Sequence, residues 1–153
     1  LNNAVFLVVT DLDGSLLDHH DYNCDAARPV LQLLEELRIP VVFASSKTRE
    51  EILALRQELN NEHPFIAENG AAVYVPRGYF LKAPVETIES DGYLVREFAP
   101  PRARWTPVLD ELRREMPDCF TDFASAGTEG IASMTGLSRA QAELANRREY
   151  SEP

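Results

Sequence analysis

Asp11 and Asp13 stand two residues apart, followed by Gly14 and Ser15, where a run of branched apolar residues stops. Strand packing has no use for a carboxylate there, and two so close repel each other unless a cation sits among them. The spacing suits a division of labour in phosphoryl transfer: Asp11 attacks phosphorus and binds metal, while Asp13 gives a proton to the leaving oxygen and later takes one from water. Gly14 lets the backbone approach a phosphate, and the amides around it, including that of Ser15, can donate to phosphoryl oxygens. A solvated Asp-rich turn would account for Asp-x-Asp alone. The upstream apolar run and the downstream Gly14-Ser15-Leu16-Leu17-Asp18 favour the catalytic alternative.

A second candidate cluster is Ser45-Ser46-Lys47-Thr48, which follows another apolar run and opens a helix. Hydroxyls, helix-terminal N–H groups and one cation converge there. Thr48 is the expected helix cap. Ser45 and Lys47 become phosphate contacts only if the fold brings them beside Asp11.

The elements that must do this follow from hydrophobic patterning. Residues 5–10 form a continuous, β-branch-rich run, expected to be a central strand buried on both faces of a parallel sheet. Val30, Leu33, Leu34 and Leu37 recur at helical spacing, and Pro40 separates that helix from a second buried run at 41–44. Thr48 and Glu51 then form a capping box before Ile52, Leu55 and Leu59, and residues 65–67 read as a third strand. Right-handed crossovers make this an open α/β sheet whose ligands collect beyond the carboxyl ends of the strands. Glu68-Asn69-Gly70 is a tight-turn signal with a structural purpose. Residues 72–75 and 79–82 then predict a β-hairpin.

Beyond about Ala83 prolines accumulate, and Ser90-Asp91-Gly92 and Ala99-Pro100-Pro101 mark a boundary. The second module holds a helix capped by Thr106 with Pro107 at its first position, with Val108, Leu109, Leu112 and Met116 inward and Pro117 at its end. Ser138 and Gln141 form a capping box for a further helix reaching about Arg147.

The chain has 153 residues, 44% of them apolar, and a formal net charge of −10. Such acidity disfavours binding to nucleic acid or anionic membranes, and an anionic ligand needs a metal, a helix N-terminus or a local cation such as Lys47 or the Arg147-Arg148 pair. Cys24 and Cys119 match no metal spacing and read as reduced thiols of a cytoplasmic protein. The apolar run at 5–9 is too short for a signal peptide or membrane span, and the Leu1 start reads as a trimmed N-terminus. His19, His20 and His63 are expected on the surface. The oligomeric state is not legible.

Together these residues resemble the haloacid dehalogenase-like phosphatase superfamily. Asp11-Leu12-Asp13-Gly14-Ser15 is similar to its first motif, with Ser for the commoner Thr, and Ser45 to its second. Ser45-Ser46-Lys47-Thr48-Arg49, Ile66-Ala67-Glu68-Asn69-Gly70-Ala71, Thr135-Gly136-Leu137-Ser138 and Arg148-Glu149-Tyr150-Ser151-Glu152-Pro153 resemble its mannosyl-3-phosphoglycerate phosphatase branch. The resemblance implies a Rossmann-like, doubly wound parallel core with an inserted α+β cap, core at 1–83 and cap at 84–153, both incomplete. It implies an aspartyl-phosphate on Asp11, Asp13 as general acid and base, and Mg²⁺ held by the Asp11 carboxylate and the Asp13 carbonyl. It further implies that Ser45 and Lys47 contact the phosphate, and that Arg148, Glu149 and Ser151 read a small sugar-glycerate substrate. The superfamily's third-motif Lys and fourth-motif Gly-Asp-x-x-x-Asp are not in residues 1–153, so this stretch alone is expected to be catalytically incomplete. Other sugar phosphates, a receiver-like phosphoacceptor and a non-catalytic phosphate-binding module remain alternatives.

Overall fold

The computed structural model describes residues 6–18 and 22–153. Its centre is a six-stranded mixed sheet of order β1-β2-β3-β4-β6-β5. β1 (Val8–Thr10), β2 (Val41–Ala44) and β3 (Phe65–Ala67) are parallel neighbours joined through α1 (Arg28–Glu36) and α2 (Arg49–Glu58). β4 (Ala72–Pro76), β5 (Ile88–Ser90) and β6 (Tyr93–Glu97) continue the sheet with antiparallel pairing. The parallel pairing that was expected therefore holds for the first three strands, and the rest makes the sheet mixed.

The core gathers where β2 and β3 are covered. Phe43, Ile52 and Phe65 are fully buried, and Phe65 stacks on Tyr74 with ring centroids 4.7 Å apart. Helix α2 begins as its sequence requires: the Thr48 side chain accepts from the Glu51 N–H, and the Glu51 side chain accepts from the Thr48 N–H.

Several expectations need correction. β1 pairs on one side alone among the described residues, so it is an edge strand rather than a central one. Of its predicted span, Val5 lies outside the described residues, and Phe6, Leu7 and Val9 are exposed. The α1 stripe divides likewise. Of its four residues only Leu34 packs on the core, beside Leu31, which lay outside the expected stripe, while Val30, Leu33 and Leu37 face outward because no layer covers that side among the described residues.

The hairpin at 72–82 is corrected too. The partner of β4 is Tyr93–Glu97, not 79–82, in a register running from Ala72↔Glu97 to Pro76↔Tyr93. Asp91 and Gly92 have φ of 47° and 83°, the left-handed pair of a two-residue hairpin turn joining β5 to β6. Ser90-Asp91-Gly92 is thus a turn inside the sheet rather than a boundary, and the sheet runs past Ala83 to Glu97.

After a short turn at Arg102–Arg104 come α3 (Thr106–Glu115), α4 (Phe123–Thr135) and α5 (Arg139–Asn146). Trp105, not Thr106, is the N-cap of α3, and Val108 and Met116 are exposed, leaving Leu109 and Leu112 half-buried on its inner side. α5 opens on the expected Ser138/Gln141 capping box. α4 has no strong apolar stripe in the sequence; it starts on Asp122, whose side chain accepts from the Ser125 N–H, and stops at left-handed Gly136.

Asp122 is 2% exposed and is bonded by the Arg113 guanidinium and the Ser125 hydroxyl. Burial works against its charge, but these partners outweigh it and hold its pKa near about 2, below the ordinary 3.8. A carboxyl depressed on folding stabilises above its unfolded pKa and loses that contribution as pH falls through the folded value. Asp122→Ala should cost about 1 kcal/mol or more at neutral pH through the lost cap. Urea titrations of both proteins should converge as pH falls from about 4 towards about 2.

His63 is also corrected: it is half-buried, with its ring nitrogens 2.8 Å from the Tyr79 hydroxyl and 3.0 Å from Glu35 Oε2. His19 and His20 lie outside the described residues. Cys24 is buried and Cys119 exposed, both free, and burial together with Glu58 pushes the Cys24 thiol pKa up, as suits an unreactive group. No helix among the described residues is long and apolar enough to cross a membrane.

Candidate active site

Parallel register brings three strand ends to one edge. Thr10 aligns with Phe43, and Phe43 with Phe65, so Asp11, Ser45 and Glu68 leave the sheet on the same side. Immediately after β1, Leu12 turns inward and is fully buried while Asp11 and Asp13 are exposed. The Leu12 carbonyl accepts from the Ser15, Leu16 and Leu17 N–H groups at 3.2, 3.0 and 2.8 Å, which closes a tight loop. Gly14 takes φ 71° in it, a position that suits glycine. The Gly14 N–H donates to the Leu17 carbonyl at 3.1 Å, so in this structure the Gly14 and Ser15 amides both bond within the loop.

The second cluster meets the first. Lys47 Nζ lies 2.8 Å from Asp13 Oδ1 and 5.4 Å from the centre of the Tyr22 ring. Ser45 is 4% exposed, and its Oγ accepts from the Lys47 N–H at 3.2 Å, leaving the hydroxyl proton to donate elsewhere. Beside Lys47 opens a cavity of about 210 Å³ lined by Leu17, Tyr22, Leu137 and Leu144. Larger cavities of about 470 and 690 Å³ surround His63 and share no residue with either cluster. Chemistry rather than volume therefore locates the site.

The residues at 148–151 also reach this edge, but they bond to the protein. Arg148 donates from Nη2 to the Ser46 carbonyl at 2.7 Å and from Nε to Ser151 Oγ at 3.0 Å, and its side chain is only 9% exposed. Glu149 accepts from the Tyr74 hydroxyl and lies 3.6 Å from Arg49 Nη1. Burial and that bond to Glu149 push the Tyr74 pKa up, so Tyr74 stays a donor. Glu152, paired with Arg102, accepts from the Ala124 N–H at 3.0 Å and ties the segment to α4.

Sequence reasoning missed two groups here. Glu68 is 3% exposed and accepts the N–H groups of Glu149, Tyr150 and Ser151. Arg49, 7% exposed, lies over the rings of Tyr74 and Tyr93 and bonds Asp91 at 3.0 Å. Burial opposes the Arg49 charge, but Asp91 and Glu149 outweigh it and raise its pKa. An acid just before Asn-Gly at a strand end was the available signal for Glu68; nothing in the local spacing marks Arg49.

Asp11 and Asp13 offer hard carboxylate oxygens facing solvent, which in kind fit Mg²⁺. In number they form part of a shell, since no group of three acidic, histidine or cysteine side chains among the described residues could hold a metal.

Residues 8–90 match the family described as haloacid dehalogenase-like hydrolase. The chain is 42% identical over 146 residues to a glucosyl-3-phosphoglycerate/mannosyl-3-phosphoglycerate phosphatase of Methanococcoides burtonii, covering 95% of this chain and 54% of the relative. It is 35% identical over 147 residues to a mannosyl-3-phosphoglycerate phosphatase of Pyrococcus horikoshii, covering 95% of this chain and 58% of that protein. The chain thus spans a little over half the length of these curated relatives. In fold it is similar to a haloacid dehalogenase-like hydrolase of Bacteroides thetaiotaomicron, with a TM-score of 0.54 at 23% identity over 73% of this chain and 38% of that one.

Proposed function

The chain belongs to the haloacid dehalogenase-like hydrolase family, and from that premise we propose that it carries the nucleophile-bearing part of a Mg²⁺-dependent phosphatase acting on mannosyl-3-phosphoglycerate. The observation that carries this reading is the meeting of Asp11, Asp13, Ser45 and Lys47 at one edge of three parallel strands, with Lys47 2.8 Å from Asp13.

The Asp11 carboxylate attacks phosphorus and the bond to the sugar-linked glycerate oxygen breaks, leaving an aspartyl-phosphate. Asp13 protonates the departing oxygen, then takes a proton from the water that releases phosphate and mannosylglycerate. Lys47, 2.8 Å from Asp13, adds positive charge beside the anionic substrate, and the Ser45 hydroxyl donates to a phosphoryl oxygen. Asp11 and the Asp13 carbonyl would hold Mg²⁺, which when bound offsets the charge of the phosphoryl group. In this reading the core extends to about residue 97, the later helices belong to a cap, and the protein works in the cytoplasm, where both thiols stay reduced.

Glucosyl-3-phosphoglycerate is the second candidate, because the Methanococcoides relative is named for both sugars. The test is the initial rate of the full-length protein with Mg²⁺ on the two sugar phosphoglycerates and on a hexose phosphate. The mannosyl compound should give the highest kcat/KM. A preference for the hexose phosphate would overturn the substrate assignment.

A further inference from the structure

We propose that Glu68 is a positioning residue that clamps residues 148–151 onto the 45–47 loop, and so sets how the site holds the part of its substrate beyond the phosphate. The inference rests on the phosphatase reading above.

Glu68 grips both partners at once. Its own N–H donates to the Lys47 carbonyl at 3.0 Å, and the next N–H, of Asn69, donates to the Ser45 carbonyl at 2.9 Å. Its carboxylate accepts from the Glu149 N–H through Oε1 at 2.7 Å, and through Oε2 from the Tyr150 N–H at 3.2 Å, the Ser151 N–H at 2.7 Å and the Ser151 hydroxyl. Arg148 closes the circuit: Nε lies 3.6 Å from Glu68 Oε2 and Nη2 donates to the Ser46 carbonyl. Lys47 and Arg148, cations contributed by segments far apart in sequence, are thereby tied to one short turn.

A carboxyl group is costly to bury, and it is accommodated where several donors converge on its oxygens. The backbone carries a further constraint. Glu68 has φ 50° and Asn69 φ 60°, and for a glutamate that left-handed conformation is disfavoured by its β-carbon. A turn that served only to reverse the chain would be content with Asn-Gly and have no need of a buried acid before it. The acid is explained by what it holds. It touches neither Asp11 nor Asp13 in any contact described, so it acts through the segments that it joins.

Glu68→Gln replaces one acceptor oxygen with an NH₂ group that faces N–H donors. In the full-length protein, site-resolved hydrogen exchange at the Glu149 and Ser151 amides should quicken about tenfold or more while β2 and β3 keep their protection. In the same protein, KM for mannosyl-3-phosphoglycerate should rise about tenfold, with kcat and the hydrolysis of p-nitrophenyl phosphate within about twofold of wild type. Combining Glu68→Gln with Arg148→Gln should be little worse than the more damaging single change, because both open the same clamp. Should Glu68→Gln not fold, Arg148→Gln alone is read by the same exchange at 149–151. Unchanged exchange, an equal loss of kcat on both substrates, or additive effects would overturn the proposal. A wild-type protein inactive on every phosphomonoester would instead sink the phosphatase reading, and the exchange arm would still decide the clamp.

Discussion

Asp11→Asn in the full-length protein should abolish phosphomonoester hydrolysis, lowering kcat by on the order of 10⁴-fold or more, as expected when a covalent nucleophile is removed. The substitution is nearly isosteric and Asp11 is exposed, so thermal unfolding should be unchanged. That separation matters. Leu12, one residue away, is fully buried, and a change there would lose activity by loosening the core and could not be read as chemistry. The amide oxygen that the substitution introduces still accepts hydrogen bonds, so ligand binding should survive better than turnover. Steady-state rates beside a thermal melt check both halves of the expectation.

Asp13→Asn should give the second largest loss, about 10²- to 10⁴-fold on a sugar-linked phosphate, and its size should depend on the leaving group. A glycerate alkoxide needs a proton to depart, whereas p-nitrophenolate does not, so formation of the phospho-enzyme should slow far more with the first substrate. In the proposed mechanism Asp13 is also the base for hydrolysis of the intermediate, so with p-nitrophenyl phosphate the variant should show a burst followed by slow turnover. The ion pair with Lys47 is lost as well, but Asp13 is 39% exposed, so the stability cost should be about 0–1 kcal/mol. Stopped-flow release of p-nitrophenolate checks the burst. Equal loss on both substrates, without a burst, would remove Asp13 from the acid–base role.

Much of the candidate site was legible because its signals are local. Asp-x-Asp after an apolar run, the Thr48–Glu51 capping box and Ser45 at a strand end each depend on a few neighbours, and parallel register then forces them together. Pairings set by distant segments were harder to read. The partner of β4 lies beyond an Asp91-Gly92 turn whose composition resembles that of a boundary, and α4 has mainly Phe123 and Ile131 as large apolar anchors among small residues. Arg148 and Ser151 reach the expected edge, but their bonds there are to Ser46 and Glu68. A segment's motif shows that it matters; whether it meets a ligand or its own chain depends on contacts across more than eighty residues.

The exposed apolar residues follow the same logic. Phe6, Leu7 and Val9 flank or lie in the edge strand β1, and Val30, Leu33 and Leu37 line the outer side of α1. Patterning assigned both to a covered interior, and their inner neighbours Val8, Leu31 and Leu34 do pack on the core. Of the residues of these two elements expected inside, Val8 and Leu34 are the ones that pack on the core. Patterning had no means of showing that the other side stays open among the described residues.

The most direct test of the central claim is to identify the residue that carries the phosphoryl group. The full-length protein, mixed briefly with substrate and Mg²⁺ and quenched in acid, is reduced with borohydride, which converts an aspartyl-phosphate to homoserine, and the peptide spanning residue 11 is sequenced by mass spectrometry. Homoserine at position 11, absent from Asp11→Asn and without substrate, is the predicted result. Turnover that leaves Asp11 unlabelled, or a label at another residue, would contradict it.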